Sequence, residues 1–303
     1  MTISPTSGWP SGVPRTPDGL PPEQPTHVLV HLSDTHLTPP GVSYNGVIDA
    51  DAALDRAVGV LREAVTGGAW IDAIVASGDL TDTGDPDAYR RLRAKLESLD
   101  LPVIWATGNH DVRTAFHEHV LDLPDVTEPV LQVHDLSGLR VLVLDSTVPG
   151  AGHGMLRADH LDELTDALSG RAEHGSIVVL HHAPIPPPSP LLAYFALHRD
   201  SRAALARAIS GSDVRLVLAG HHHLAQSGML GGVPVAVAGS VAIRTDPLAP
   251  AGREHTTRSA ALNLVAVYRD TVTVSVVPID GADTVFDLSP EENAAVIRRA
   301  RGA

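Results

Sequence analysis

Five short stretches hold most of the side chains in this chain that could bind a cation or move a proton. They are Asp34-Thr35-His36, Gly78-Asp79, Gly108-Asn109-His110-Asp111, His181-His182 and Gly220-His221-His222-His223. Each follows directly on a run of apolar, β-type residues. In an open α/β sheet the working residues lie just past the carboxyl ends of strands, where the loops converge. Two divalent ions about 3.5–4 Å apart need a shared carboxylate with hard oxygen and imidazole ligands, and can then clamp a phosphate and acidify a bound water. Asp34, His36, Asp79, Asn109, His181, His221 and His223 supply that inventory. The spacings Asp34-x-His36 and His221-x-His223 are read as extended backbone at strand ends, where residues two apart share one side.

The elements that must position these residues are legible from hydrophobic period. Strands are expected over 27–33, 71–77, 102–107, 139–145, 176–180 and 213–219. Between them Leu54, Val58, Leu61 and Val65 repeat at helical spacing, as do Tyr89, Leu92, Leu96 and Leu99 behind the start signal Asp85-Pro86. A further helix carries Leu161, Leu164 and Leu168. Past residue 225 the pattern turns to hairpins, one around Gly231-Gly232 and one joining 262–268 to 271–277. A last helix is signalled by the capping box Ser289-Pro290-Glu291-Glu292. Strands alternating with helices, then paired strands, give an α/β chain with mixed sheets sandwiched between helices. The expected division is a disordered tail over 1–25, one domain over 26–288 and a helix over 289–303. Segments 183–200 and 240–260 are too irregular for a sheet and are expected to wall the site.

Composition narrows the function. The chain has 303 residues, 36 acidic against 22 basic, and a formal net charge of −14. That balance disfavours a nucleic-acid partner, which needs clustered Lys and Arg. A small anion remains compatible, because two local cations outweigh a diffuse surface charge that salt screens within about 8 Å. No cysteine is present, so any metal must be held by His, Asp, Glu or Asn. No apolar run approaches the roughly 20 residues of a membrane span. The first 25 residues lack the basic start and apolar core of a signal peptide, so a cytoplasmic location is expected.

Taken in order, Asp-x-His, Gly-Asp, Gly-Asn-His-Asp and Gly-His-x-His resemble the calcineurin-like metallophosphoesterase superfamily over roughly residues 27–225. The fuller forms His31-Leu32-Ser33-Asp34-Thr35-His36-Leu37, Ser77-Gly78-Asp79-Leu80-Thr81-Asp82 and Ala219-Gly220-His221-His222-His223 are most similar to bacterial class III cyclic-nucleotide phosphodiesterases. The resemblance implies a four-layer α/β/β/α sandwich of two mixed β-sheets flanked by helices. It implies one metal on Asp34, His36, Asp79 and His223, and a second on Asp79, Asn109, His181 and His221. A hydroxide bridging the two is the implied nucleophile on phosphorus. His110, beside Asn109, is the implied phosphate contact and acid for the leaving oxygen. Manganese, iron or zinc suits such ligands, as divalent or mixed-valence ions. The implied substrate is a small phosphodiester such as a cyclic nucleotide. One departure is His181-His182-Ala183-Pro184, where the family often has proline directly after the paired histidines. The resemblance also admits a homodimer.

With 17 histidines, some are incidental. His222 should point away from its neighbours if the backbone is extended, and His182 is similar. His153 is as much a loop residue as a site residue, Asp82 serves a turn or a ligand, and Asp111 is expected to brace the Asn109-His110 turn. The motifs leave a phosphomonoesterase, a glycerophosphodiesterase, a nucleotide pyrophosphohydrolase, a nuclease and a metal-binding interaction scaffold as alternatives, since pocket walls rather than ligands set the leaving group.

Overall fold

The computed structural model describes residue 16, residues 22–281 and residues 284–301. Most of the tail expected over 1–25 lies outside them. The described strands are β1 His27–Leu32, β2 Ala73–Ser77, β3 Val103–Ala106, β4 Gln132–Leu136, β5 Leu139–Leu144, β6 Ser176–His182 and β7 Val214–Gly220. They continue with β8 Gln226–Leu230, β9 Val233–Val237, β10 Arg244–Thr245, β11 Thr256–Thr257, β12 Ala261–Val267 and β13 Val272–Pro278. The helices are α1 Ala50–Thr66, α2 Pro86–Glu97, α3 Arg113–His119, α4 Ala158–Ala167, α5 Pro190–Tyr194, α6 Arg199–Ile209 and α7 Pro290–Arg301.

Helix starts follow local chemistry. Asp49 accepts from the Ala52 amide at 2.9 Å and Asp85 from the Ala88 amide at 2.8 Å, each capping a first turn. At Ser289 the capping box closes reciprocally: the Ser289 amide donates to Glu292 Oε2 at 2.8 Å and the Glu292 amide to Ser289 Oγ at 3.2 Å.

One sheet runs β13-β12-β1-β2-β3 and the other β4-β5-β6-β7-β9-β8. In the first, β1, β2 and β3 are parallel and β12 and β13 antiparallel; in the second, β5, β6, β7 and β9 are parallel, with β4 and β8 as antiparallel edges. Leu29, Val75 and Ile104 of the first sheet share a buried cluster with Val141, Ile177, Val179 and Leu218 of the second, so the sheets face each other. Leu54, Leu61, Tyr89, Leu92 and Phe116 cover the outer face of the first sheet; Leu164, Leu205 and Ile209 cover that of the second. The fold is therefore the expected four-layer α/β/β/α sandwich. Strands β1, β2, β3, β6 and β7 read as nearly continuous apolar runs because both faces are covered.

Three local differences from the sequence reading have plain causes. Strand β6 runs on through His181 and His182, whose imidazoles are fully buried. Segment 183–200 contains α5 and the start of α6, and segment 240–260 contains the separate two-stranded β10–β11 sheet. Short elements like these carry too few residues to show a period. Among the described residues no helix is long and apolar enough to cross a membrane.

Candidate metal centre

All five motifs sit at the carboxyl ends of parallel strands, three on one sheet and two on the other, and cross-sheet hydrogen bonds draw them together. The His221 amide donates to both Asp34 carboxylate oxygens at 3.2 and 3.1 Å, and His181 Nδ1 donates to the Ser77 carbonyl at 2.9 Å. Within the first sheet, the Asp34 and His36 amides donate to the Gly78 and Asp79 carbonyls at 3.0 and 2.9 Å. The His110 amide donates to Asp79 Oδ1 at 2.8 Å.

Two groups of side chains result, each with its ligand atoms within 4.8 Å of one another: Asp34, His36, Asp79 and His223, and Asp79, His181 and His221. Asp79 belongs to both. Asn109 lies on the loop whose next amide binds Asp79, and its Oδ1 is buried with no hydrogen-bond donor among the described residues. His36, Asp82 and His110 form a third group that shares His36 with the first.

The spacing Asp34-x-His36 arises differently from the extended strand end expected. Asp34, His36, Asp79, His221 and His223 all have left-handed backbone, with φ of 56°, 45°, 49°, 72° and 50°. L-residues rarely adopt this region, and where they do the surrounding contacts must enforce it. Sharp turns rather than the strand pleat therefore aim both members of each pair at one centre. His222 is correspondingly buried on its own, with Nδ1 2.9 Å from Gln226 Oε1, and joins neither group. His182 is also buried and joins neither group: it is bonded to Ser146 Oγ at 2.9 Å, donates to the Gly152 carbonyl at 3.2 Å, and packs its ring behind His181 and His221 with centroids 5.1 and 4.6 Å away.

Close approach is built into the motif glycines. A Cβ on Gly108 would lie 2.1 Å from the Asp79 amide nitrogen, and one on Gly220 1.9 Å from Ser33 Oγ.

The donor set fits a pair of divalent cations. Asp34 and Asp79 are buried, and their ion-pair partners among the described residues are histidines, with no Lys or Arg. A buried carboxylate without a full countercharge is costly. The His36 and His223 Nε2 atoms stand 3.0 Å apart, and two lone pairs that close repel unless a proton or cation lies between them. His181 Nε2 is 3.2 Å from Asp79 Oδ2 but lacks hydrogen-bond geometry to it. Ring orientation is set from behind: His181 donates through Nδ1 to the Ser77 carbonyl, and His221 through Nε2 to the Phe195 carbonyl at 2.9 Å, so a bound cation would meet the other nitrogen of each ring.

Electrostatics agree with that division of labour. Burial works against ionising Asp34 and Asp79, but His223 and His181 beside them more than reverse it and hold both carboxyls below the usual range. Burial keeps His36 and His221 neutral, as ligation requires. His110 goes the other way. Although burial disfavours its charge, Asp79 and the Asp82 carbonyl and carboxylate more than offset this and raise its pKa above the ordinary imidazole value. Its Nδ1 donates toward the Asp82 carbonyl and Oδ1, each at 3.1 Å, which leaves Nε2–H to act elsewhere.

Asp111 braces the site as expected. It accepts from the amides of Leu80, Thr81 and Gly108 at 3.1, 3.0 and 2.8 Å and from the Tyr89 hydroxyl at 2.9 Å. Several neighbours escaped the sequence reading. Tyr44 stacks on His36 with ring centroids 4.3 Å apart and planes 9° apart, Ser240 Oγ donates to the Asp34 carbonyl at 2.8 Å, and Arg113 pairs with Asp145 at 2.7 Å. Asp145 follows a parallel strand and obeys the strand-end rule; Tyr44 and Ser240 lie in irregular chain and carry no local signal.

A cavity of about 530 Å³ opens beside Asn109 and His110, and its further wall is Asp82, Thr83, Arg113 and residues 147–152. Of the expected walls, 183–200 contributes to a cavity around His153 and Tyr194 and 240–260 to one around Asp246 and Arg253, while Ser240 and Thr245 of the latter also bond the Asp34 and His223 carbonyls. His221 bonding to Phe195 is where 183–200 does touch the centre.

Comparison with known proteins matches this arrangement to one family. Residues 27–225 match the family described as calcineurin-like phosphoesterase. Over 267 residues the chain is 43% identical to a protein named probable cyclic nucleotide phosphodiesterase from Rhodococcus erythropolis, covering 86% of this chain and 87% of that one. It is 40% identical over 267 residues to a cAMP/cGMP dual specificity phosphodiesterase from Mycobacterium tuberculosis, covering 86% and 82%. Among solved structures, a purple acid phosphatase from yellow lupin superposes with a TM-score of 0.59 at 13% identity, over 85% of this chain and 52% of that one, a likeness of fold. Motif order, sandwich fold and matched span agree, and the chain belongs to the calcineurin-like phosphoesterase family of metal-dependent hydrolases.

Proposed function

We propose that the chain hydrolyses 3',5'-cyclic nucleotides of the cyclic AMP type. The observation that carries this reading is the pair of ligand groups sharing Asp79, in a chain alike over most of its length to relatives named for cyclic nucleotides. In this reading Asp34, His36, Asp79 and His223 hold one cation, and Asp79, Asn109, His181 and His221 the other, drawn from manganese, iron and zinc. When bound, such a pair supplies a water ionised near neutral pH and a clamp on the phosphate oxygens. The protein's own part is positional. Asp79 sets the separation of the two groups, the Ser77 and Phe195 carbonyls orient the imidazoles, and Asn109 brings a neutral oxygen donor. The protonated form of His110, held by Asp82 through Nδ1, gives its Nε2 proton to the departing ribose oxygen.

The phosphomonoesterase, glycerophosphodiesterase, pyrophosphohydrolase and nuclease readings are not favoured by the relatives of widest coverage, and no ligand is missing as a pure scaffold would allow. A cytoplasmic setting and a homodimer belong to the same proposal, supported by resemblance and checked by fractionation and sedimentation. The deciding experiment loads the chain with manganese and follows cyclic AMP. His110→Gln should cut turnover about 100- to 10,000-fold with metal content kept, whereas Asp79→Asn should lose metal as well. Equal metal loss in both variants, or intact cyclic AMP with both sites full, would refute the assignment.

A further inference from the structure

The Arg113 guanidinium is anchored along one edge. Its Nε donates to Asp145 Oδ2 at 2.7 Å, and its Nη2 to the Thr147 carbonyl and Oγ1 at 3.1 and 2.9 Å. Asp145 Oδ1 in turn accepts from the Thr147 amide and hydroxyl at 2.7 and 2.6 Å. The side chains of Arg113 and Asp145 are only 14% and 4% exposed. Its remaining nitrogen, Nη1, has no hydrogen bond among the described residues. Arg113 and Thr147 share their cavity wall with Asn109 and His110. A planar guanidinium bound on one edge presents the other edge in a fixed orientation, so little entropy is lost when a ligand acceptor meets it.

The cavity's place in the reaction follows from His110. A phosphate centred on the two ligand groups has its leaving oxygen at His110, so the sugar and base extend into the space that His110 borders. At about 530 Å³ that space lies within the range of small-molecule sites, about 300–1,000 Å³. The larger cavity around His153 and Tyr194 is lined by none of the candidate ligands.

We infer that the cavity beside His110 is the nucleoside subsite and that Arg113 is its specificity-determining residue, donating from Nη1 to an acceptor on the nucleoside. This rests on the cyclic-nucleotide reading above. The acceptor chemistry has two sources, purine N7 (joined in guanine by O6) and the ribose 2'-oxygen, and the same donor serves either.

Arg113→Met and Arg113→Lys test the inference in the manganese-loaded full chain. Lysine keeps a charge beside Asp145, so it guards against misfolding, but one ammonium lacks the fork needed to hold Asp145 and Thr147 while reaching the cavity. Both variants should lower kcat/KM for cyclic AMP and cyclic GMP about 10- to 100-fold, mainly through KM. They should weaken binding of the hydrolysis-resistant Rp-phosphorothioate of cyclic GMP, read by calorimetry, by the same factor. Bis-p-nitrophenyl phosphate, which has neither acceptor, should be hydrolysed within about twofold of wild type. Sensitivity lost with cyclic CMP identifies the purine edge; sensitivity lost with 2'-deoxy cyclic AMP identifies the ribose. Equal losses on bis-p-nitrophenyl phosphate, or unchanged cyclic-nucleotide kinetics and binding in the lysine variant, overturn the inference. Wild-type chain that cleaves the aryl diester but no cyclic nucleotide overturns the functional reading itself, and this one with it.

Discussion

Asp111 offers the sharpest test of how the centre is held. Oδ2 takes the Leu80 and Gly108 amides and Oδ1 the Thr81 amide and Tyr89 hydroxyl, so one carboxylate ties the loop carrying Asp79 to the loop carrying Asn109 and His110. Asp111→Ala removes the acceptor of three buried amides and of the Tyr89 and Thr81 hydroxyls. Each orphan costs about 1–3 kcal/mol; with water partly entering the vacated space, the sum is about 4 kcal/mol or more. Against a typical domain stability of about 5–15 kcal/mol that is a large fraction. Tyr89→Phe, which deletes one of the five donors and leaves the carboxylate satisfied, should cost about 1 kcal/mol. Burial, aided by Asp79, lifts Asp111 to about 6, so urea unfolding followed at about pH 8 keeps it ionised and accepting at both oxygens. Metal content measured on the same samples should fall in Asp111→Ala and hold in Tyr89→Phe. If the two variants lose equal stability, or if Asp111→Ala loses less than about 1 kcal/mol, the carboxylate does not hold these loops.

In the metal-free protein, burial opposes a charge on His181, but Asp79 overcomes it and raises the imidazole from 6.5 to about 9. The folded state then binds the proton more tightly than the unfolded chain, so this contribution is complete below about pH 6.5 and is lost as pH rises through about 9. The urea midpoint of chelator-treated protein should fall across that window, and manganese loading near neutral pH should release protons, read in unbuffered solution; a flat midpoint with no release contradicts the pairing. Gly108→Ala should cost about 3 kcal/mol or more, because its Cβ meets the Asp79 amide nitrogen at 2.1 Å. Its metal stoichiometry should drop as well, and a variant that melts like wild type with full metal would show that the loops are not in contact there.

Much of the fold was readable because its signals are local. Leu54, Leu61, Tyr89 and Leu92 repeat at helical spacing and do form the outer layer, and the Asp85 cap does start α2. The antiparallel pair joining 262–268 to 271–277 is β12 and β13, although nothing in their residues says that β12 pairs with β1. Helix α3 and the two-residue strands β10 and β11 are too short to show a period, and the roles of Tyr44, Ser240 and Arg113 depend on partners distant in sequence.

By itself the sequence determined the inventory: seven nitrogen and oxygen side chains in five motifs behind apolar strands, no sulfur ligand, and the family to which such motifs belong. Those are properties of residue type and short spacing, which the chain states directly. Only the tertiary structure decided that Asp79 sits in both ligand groups, that left-handed turns rather than strand pleat aim the pairs, and that residues 147–152 wall the cavity at His110. The physical reason is that each depends on contacts between the two sheets. Asp34 meets the His221 amide and His181 meets the Ser77 carbonyl only after both sheets have packed face to face.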